Sequence, residues 1–418
     1  MMTTSQKLRK FLISTRQSLF ITTNLFFQNS LPTIASACAL GLLFSVLPVV
    51  FLIITMLIRV LHTEQSLVLK FYPYINMLIT QEQFESLIQT ILSVNKVGTF
   101  EIISIVAIFW LARRFFLSVM RGFHIINHQD SRRKGISFTM GGFFGETIAV
   151  VGMAIIIAAI FAARSLLKFD IFAELLPWID GTLYPLLVSI TPPIMLFVIT
   201  FAAYRYAPGT KPNLWLCART ALYTSLIFKL MTLLFKLFLN TSRYNMIYGV
   251  LSNVMVLMLE AGVFFQIFLF FAQFMYVKQF FKTLELAELY LLPDARDRRF
   301  IQKYRRKLFF SDFITLTDQL ISIKKGEVIY AEGYPPDFIY CVADGIIEIA
   351  AGSDSSHHSK GKFFGELSCL TGKPRKETVK AVTPVTLIRF EKREFEQLVS
   401  RNPEINTKFL AQLSSSYF

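Results

Sequence analysis

The residues with the most chemistry to offer lie late in the chain. Glu366 and Arg375 stand nine positions apart in the stretch FFGELSCLTGKPRKETV, from Phe363 to Val379. A carboxylate and a guanidinium at that spacing mean little alone, and no water-activating base lies nearby in sequence to make them hydrolytic. The five histidines, His62, His124, His128, His357 and His358, form no HxHxDH-like cluster. Metal-dependent phosphodiester hydrolysis needs several His and Asp ligands converging on one or two ions, so that chemistry is not indicated. No GxSxG turn stands in a strand-to-helix context. The four cysteines, Cys38, Cys217, Cys341 and Cys369, are far apart without a CxxC pair, which points to packed or lipid-facing thiols rather than zinc or disulfides. The expectation is a protein that is not an enzyme and has no metal and no resident cofactor.

A second set of ionisable residues stands in apolar surroundings: Glu146, Lys229, Lys236 and Glu260. The chain of 418 residues is 54% hydrophobic and only 17% charged, with a mean hydropathy of +0.51. Ordinary globular domains are roughly 45–50% apolar and 25% charged. Much of the chain must sit in lipid. The net charge of +15 then reads first as basic loops held on the cytoplasmic side, and a nucleic-acid partner is not expected.

A span needs ~20 apolar residues to cross ~30 Å of hydrocarbon. Six stretches meet that need: Ile34–Val60, Phe100–Met120, Phe138–Ala163, Leu183–Tyr204, Leu214–Leu239 and Met246–Val277. Pro48 interrupts the first and Pro192-Pro193 the fourth. These breaks either face protein or water, or are kinks that aid packing. Loops after the second and fourth spans carry Arg132, Arg133, Lys134, Arg205 and Lys211, while the alternate loops are poor in positive charge. The bias places both termini in the cytoplasm of a multi-pass protein. Ahead of the first span, Ser5–Asn29 is amphipathic and reads as a helix on the inner membrane face, or as a soluble docking helix. A helical run over Gln81–Leu92 is expected in an outer loop. Lys229 and Lys236, seven apart, share a helical face. With Glu146 and Glu260 they either neutralise or snorkel, or they line a polar path.

Taken in order, these spans resemble the YihY/BrkB family of bacterial inner-membrane proteins over about Leu31–Phe280. The resemblance rests on ASACALGLLFSVLPVV, FWLARRFFLSVMRGFHIIN, YRYAPGTKPNLWLCARTAL and YNMIYGVLSNVMVLML. It implies a membrane topology; transport, virulence association and a tRNA-processing ribonuclease label attach to the family. Gln273 stands where the family has Glu, and Glu260 is an addition.

After Val277 the composition changes. Lys278–Phe310 is charged and helix-prone, with Arg296, Arg298, Arg299, Lys303, Arg305, Arg306 and Lys307 clustered where anionic lipid would attract them. No aromatic residues are interleaved as single-stranded RNA recognition needs. From Asp312, short alternating strands separated by turns predict a small jelly-roll or barrel. Ser353–Lys362 reads as a polar loop. Lys392–Leu413 reads as a closing helix.

This segment, about Phe313–Ala411, resembles a cyclic nucleotide-binding domain. The match rests on the KKGEVIYAEG turn, Gly345 closing the next hairpin, the FGEL cassette, and a Pro-Arg pair that ends nine residues after the glutamate. The resemblance implies that Arg375 holds the phosphate and Glu366 the ribose 2′-OH. Amides and side chains around Phe364, Gly365, Leu367, Ser368 and Lys376 complete the cradle. A guanidinium and the free N–H groups of a helix start can hold one phosphate together. Lys376 and Glu377 replace residues that are small in the family.

The expected architecture is a multidomain chain in which an α-helical polytopic membrane bundle of six transmembrane helices precedes a small β-roll with flanking helices. Its divisions are an amphipathic helix over 1–30, the membrane domain over 31–280, a basic linker over 281–311 and the nucleotide-binding-like domain over 312–418. Expected partners are the lipid bilayer, cAMP or cGMP as a regulatory ligand, and a second copy of the chain. Two functions stay open. One is a transporter or channel-like module regulated by cyclic nucleotide. The other is a membrane-anchored sensor or scaffold whose domain is degenerate and only docks or dimerises.

Overall fold

A computed structural model describes residues 4–44, 82, 84–86, 88–89, 99–127, 183–238, 250–291, 300–310, 319–352, 354–401 and 405–407. The chain forms two compact units, Met1–Thr23 with Val277–Phe418 and Asn24–Tyr276.

Helix α1 (Thr4–Gln28) ends at a turn where Ser30 takes a positive φ of 52°. The helices that follow are α2 (Leu31–Phe44), α3 (Thr99–Ile126), α4 (Leu183–Tyr206), α5 (Leu214–Phe238) and α6 (Val250–Gln279). Among the described residues, Leu214–Phe235 and Val254–Gln279 are long and apolar enough to cross a membrane, and a third span results if the bent pair Leu8–Gln28 and Leu31–Phe44 counts as one. The expected third span, residues 138–163, and residues 45–60 of the first lie outside the described residues. Helix α4 runs continuously through Pro192-Pro193. The described residues within 81–92 are helical, with Phe84 and Ile88 fully buried.

Tyr204 knits this unit together. Its buried hydroxyl lies 2.8 Å from the Thr224 hydroxyl on α5 and donates to the Phe268 carbonyl on α6 at 2.9 Å. Its ring stacks on Phe268 with centroids 5.1 Å apart. Burial of a polar group in an apolar bundle costs free energy unless it finds such partners. Elsewhere hydroxyls bond back onto their own helix, as Thr220 does to Leu216 and Thr232 to Phe228. Gly122 lets α3 approach α6 closely, since a Cβ there would meet Leu269 Cδ2 at 2.9 Å.

In the other unit, α7 (Phe281–Tyr290) and α8 (Phe300–Phe310) precede eight strands. These are β1 (Leu320–Ile323), β2 (Val328–Tyr330), β3 (Phe338–Asp344), β4 (Ile346–Ala351), β5 (Asp354–Ser359), β6 (Phe363–Phe364), β7 (Thr378–Ala381) and β8 (Val385–Glu391). Two antiparallel sheets result, ordered β1-β8-β3-β6 and β2-β7-β4-β5. Alternate residues of both sheets meet in one core that includes Tyr330, Tyr340, Val342, Ile347, Val379 and Leu387. The β3–β4 hairpin turns on Gly345, whose φ is 94° and whose Cβ would lie 2.6 Å from the Pro384 carbonyl. Only glycine fits there.

The stretch read as a polar loop is different in the structure. Residues 354–359 form β5, paired with β4 from Ile346↔Ser359 to Ala351↔Asp354. It is the last strand of its sheet, where the backbone ladder alone suffices and polar side chains are tolerated. Helix α9 (Glu366–Thr371) follows β6, and α10 (Lys392–Arg401) follows β8. Of the expected closing helix, residues 405–407 are also helical and 408–413 lie outside the described residues.

On α1, Gln17, Ser18, Ile21 and Thr22 are buried, whereas Leu8, Phe11, Leu12 and Leu19 are exposed. The exposed apolar residues share one face by their spacing. Phe20 on the other side packs against Tyr304 and Phe309 of α8. Gln17 Nε2 donates to the Leu308 carbonyl at 3.2 Å.

Candidate functional site

The turn from β6 into α9 fixes the site. Gly365 is the N-cap of α9 with φ 79°, a conformation that costs an L-residue roughly 1–2 kcal/mol. Space demands glycine as well: a Cβ would lie 2.5 Å from Arg375 Nη1 and 3.3 Å from the Tyr330 hydroxyl. The guanidinium therefore occupies the room a side chain at 365 would take.

Arg375 is 3% exposed. Its Nη1 donates to the Gly365 carbonyl at 2.6 Å and its Nη2 to the Phe338 carbonyl at 2.5 Å. The guanidinium carbon sits 4.3 Å from the centre of the Tyr330 ring. Backbone bonds hold the residue from both sides, Arg375 N–H to the Tyr334 carbonyl (3.0 Å) and Gly333 N–H to the Arg375 carbonyl (2.8 Å). Its buried Nε has no partner. A buried cation with an unspent donor is costly, and an anion supplied from solution would relieve it.

Glu366, 7% exposed, opens α9 one residue after Gly365. Phe364 is buried and stacks on Tyr340 with centroids 5.4 Å apart. Leu367 and Ser368 are half-buried in the first turn of α9, and Lys376 is exposed. Glu377 accepts a hydrogen bond from the Tyr330 hydroxyl at 2.8 Å. Burial, with the Glu377 charge beside it, raises the Tyr330 hydroxyl far above the usual tyrosine range, against the opposing pull of Arg375. Burial also raises Cys341, with help from the Glu366 charge, and Cys369, against Arg375. These thiols are inert packing groups. Cys369 donates to the Pro336 carbonyl at 3.0 Å.

Sequence reasoning missed Tyr330, the Phe338 carbonyl and Tyr290. Tyr290, the last residue of α7, touches Phe363 of the cassette (5.0 Å between ring centres) and Phe395 of α10 (5.4 Å). Burial and the Glu366 charge raise its hydroxyl. No local spacing could reveal these meetings, because they join residues dozens of positions apart.

Lys229 is exposed on α5, Glu260 is half-buried on α6, Lys236 lies on α5, and Glu146 falls outside the described residues. Gln273 is fully buried and accepts from Asn29 Nδ2 at 3.4 Å. Among the described residues, no three His, Cys, Asp or Glu side chains converge as metal ligands. The C-terminal site offers a buried guanidinium, a buried carboxylate and a helix start, an arrangement suited to holding an anion and a hydroxyl.

Comparison with known proteins agrees with this chemistry. Residues 320–402 match a family described as cyclic nucleotide-binding domain. The chain as a whole belongs to the family described as virulence factor BrkB, whose model matches residues 24–284. This chain is 34% identical over 84 residues to a cyclic nucleotide-gated potassium channel from Mesorhizobium japonicum, covering 20% of this chain and 23% of the channel. It is 28% identical over 155 residues to a cAMP-dependent protein kinase regulatory subunit from Dictyostelium discoideum, covering 32% of this chain and 45% of that protein. The matches thus span under half the length of these relatives. Among solved structures, the catabolite activator protein of Thermus thermophilus is similar at 19% identity with a TM-score of 0.23, covering 32% of this chain and 54% of its own.

Proposed function

We propose that this membrane protein senses a cytoplasmic cyclic nucleotide and that binding regulates its helical bundle as a transporter or channel-like module of the bacterial inner membrane. The observation that carries the reading is Arg375, a buried guanidinium with an unpartnered Nε, seated against a glycine that only an absent Cβ permits. Arg375 holds the cyclic phosphate with the first amides of α9, and Glu366 accepts the ribose 2′-OH. Tyr290 is the outlet: it touches both cassette and α10, and only Phe280 separates α7 from the long α6. Ligand affects the bundle to the extent that it prefers one of two states of that joint. The exposed apolar face of α1, with Arg9 and Arg16 close by in sequence, lies on the cytoplasmic membrane surface.

A second reading has its own observation. Both Nη groups of Arg375 already donate to protein carbonyls, as they would if the arginine were a structural clamp and the roll a scaffold. Titration of full-length protein in nanodiscs with a fluorescent cyclic nucleotide separates the two. Saturable binding lost on Arg375→Ala supports the sensor. An absence of binding by cAMP and cGMP alike overturns it. Solute flux in proteoliposomes that responds to the nucleotide supports transport, and no flux across a broad solute panel leaves a sensor without a path.

A further inference from the structure

The inner wall of the roll carries a second polar group that the phosphate and ribose roles leave unused. Along β7, Val379 and Ala381 are buried in the core and Lys380 is exposed. In the bend that leads into β7, Arg375 is buried and Glu377 half-buried while Lys376 between them is exposed. Glu377 is not free to swing, because the Tyr330 hydroxyl donates to its Oε1 at 2.8 Å. A carboxylate has about four acceptor positions, so the bond orients it without saturating it.

On the edge strand β5 a second group points inward. His358 pairs directly with Ile347, which is 0% exposed, so its imidazole stands on the core side of the sheet. His357 pairs with Glu348 and points the other way. His358 Nδ1 is buried and has no hydrogen-bond partner. Burial first, then the charge of Lys362, lowers its basicity, while Glu377 pulls the other way. A neutral imidazole carries one donor and one acceptor.

We propose that Glu377 and His358 read the base of the bound nucleotide and select guanine over adenine. A carboxylate only accepts. Guanine presents two parallel donors, N1–H and the N2 amino group, that fit its two oxygens. Adenine offers one amino donor beside the N1 lone pair, which faces carboxylate oxygen with repulsion. The imidazole supplies the N–H that guanine O6 or N7 accepts.

This inference rests on nucleotide binding at Arg375, and the test keeps the two apart. Displacement of a fluorescent cyclic nucleotide from the full-length protein in nanodiscs gives the cGMP to cAMP affinity ratio. Wild type is expected to favour cGMP by on the order of tenfold or more, the discrimination one good bidentate base contact supplies. Glu377→Gln, which replaces one acceptor by a donor, collapses that ratio to near one mainly by weakening cGMP, and His358→Phe lowers it several-fold. Arg375→Ala weakens both nucleotides together. Wild type that binds cAMP as tightly as cGMP, or a ratio unmoved in Glu377→Gln, overturns the base reading and leaves the phosphate site standing. Binding of neither nucleotide by wild type overturns both.

Discussion

The membrane unit and the β-roll place polar groups away from water in opposite ways. Hydroxyls of the helices satisfy themselves locally: Thr200, Thr220, Thr224 and Thr232 each bond a carbonyl four residues back. In the roll, polar side chains reach across the chain, Arg375 to Phe338 over 37 residues and Tyr330 to Glu377 over 47. A local bond duplicates a carbonyl the helix already uses, so losing it costs little. A long-range bond in a water-poor interior holds two distant segments in register, and its loss leaves both ends unsatisfied. The roll is thereby sensitive at a few points, and the helices tolerate much, with Tyr204 and the Asn29–Gln273 pair as exceptions that behave like the roll.

Substitutions rank accordingly. Arg375→Ala is expected to weaken nucleotide binding by more than a hundredfold and to lower the stability of the roll by about 3 kcal/mol, since two carbonyls lose their donor. Ligand titration and thermal melting of the full chain measure the two effects. If melting is unchanged, the carbonyl contacts of Arg375 are incidental. Gly365→Ala comes next, with about 2 kcal/mol from the positive φ and the displaced guanidinium, seen as a lower melting temperature together with weaker binding. Tyr204→Phe should cost about 1 kcal/mol in the membrane unit, measured by unfolding in lipid nanodiscs; a near-zero value would dissolve the exception. Thr220→Val and Thr232→Val should each fall below about 0.5 kcal/mol in the same assay.

The smallest effect is a pH slope. His358 resists protonation in the folded roll, whereas the unfolded chain takes the proton near pH 6.5. The unfolded state then binds more protons as pH drops below that value, so the folded roll loses stability on going from pH 7 to 5. His358→Gln should flatten that part of the melting profile.

The same division governs what the sequence reveals. Span-length apolar runs announce α5 and α6 because lipid imposes a composition on whole helices. Gly345, Gly365 and Arg375 are legible because each answers a local demand, a turn or a charge, that few residue types can meet. What stays hidden is non-local. Tyr330 looks like one more strand aromatic until folding lays it under the guanidinium, and Glu377 reads as an intruder until the Tyr330 hydroxyl is seen to hold it. Residues 354–359 lack the apolar alternation of a strand because β5 needs only its backbone to pair. Polar Gln17, Ser18 and Thr22 fill the buried face of α1 while its leucines face outward, a reversal that amphipathic patterning does not distinguish from the usual arrangement.

Tyr290 has a practical consequence. The three tryptophans of the chain, Trp110, Trp178 and Trp215, all precede residue 277, so the C-terminal segment has no tryptophan emission of its own. A tryptophan in place of Tyr290 would put an indole between Phe363 and Phe395, where emission wavelength and quenching follow the packing of cassette against closing helix. Occupancy of the roll would then be readable as a colour change from inside the protein, without a labelled nucleotide.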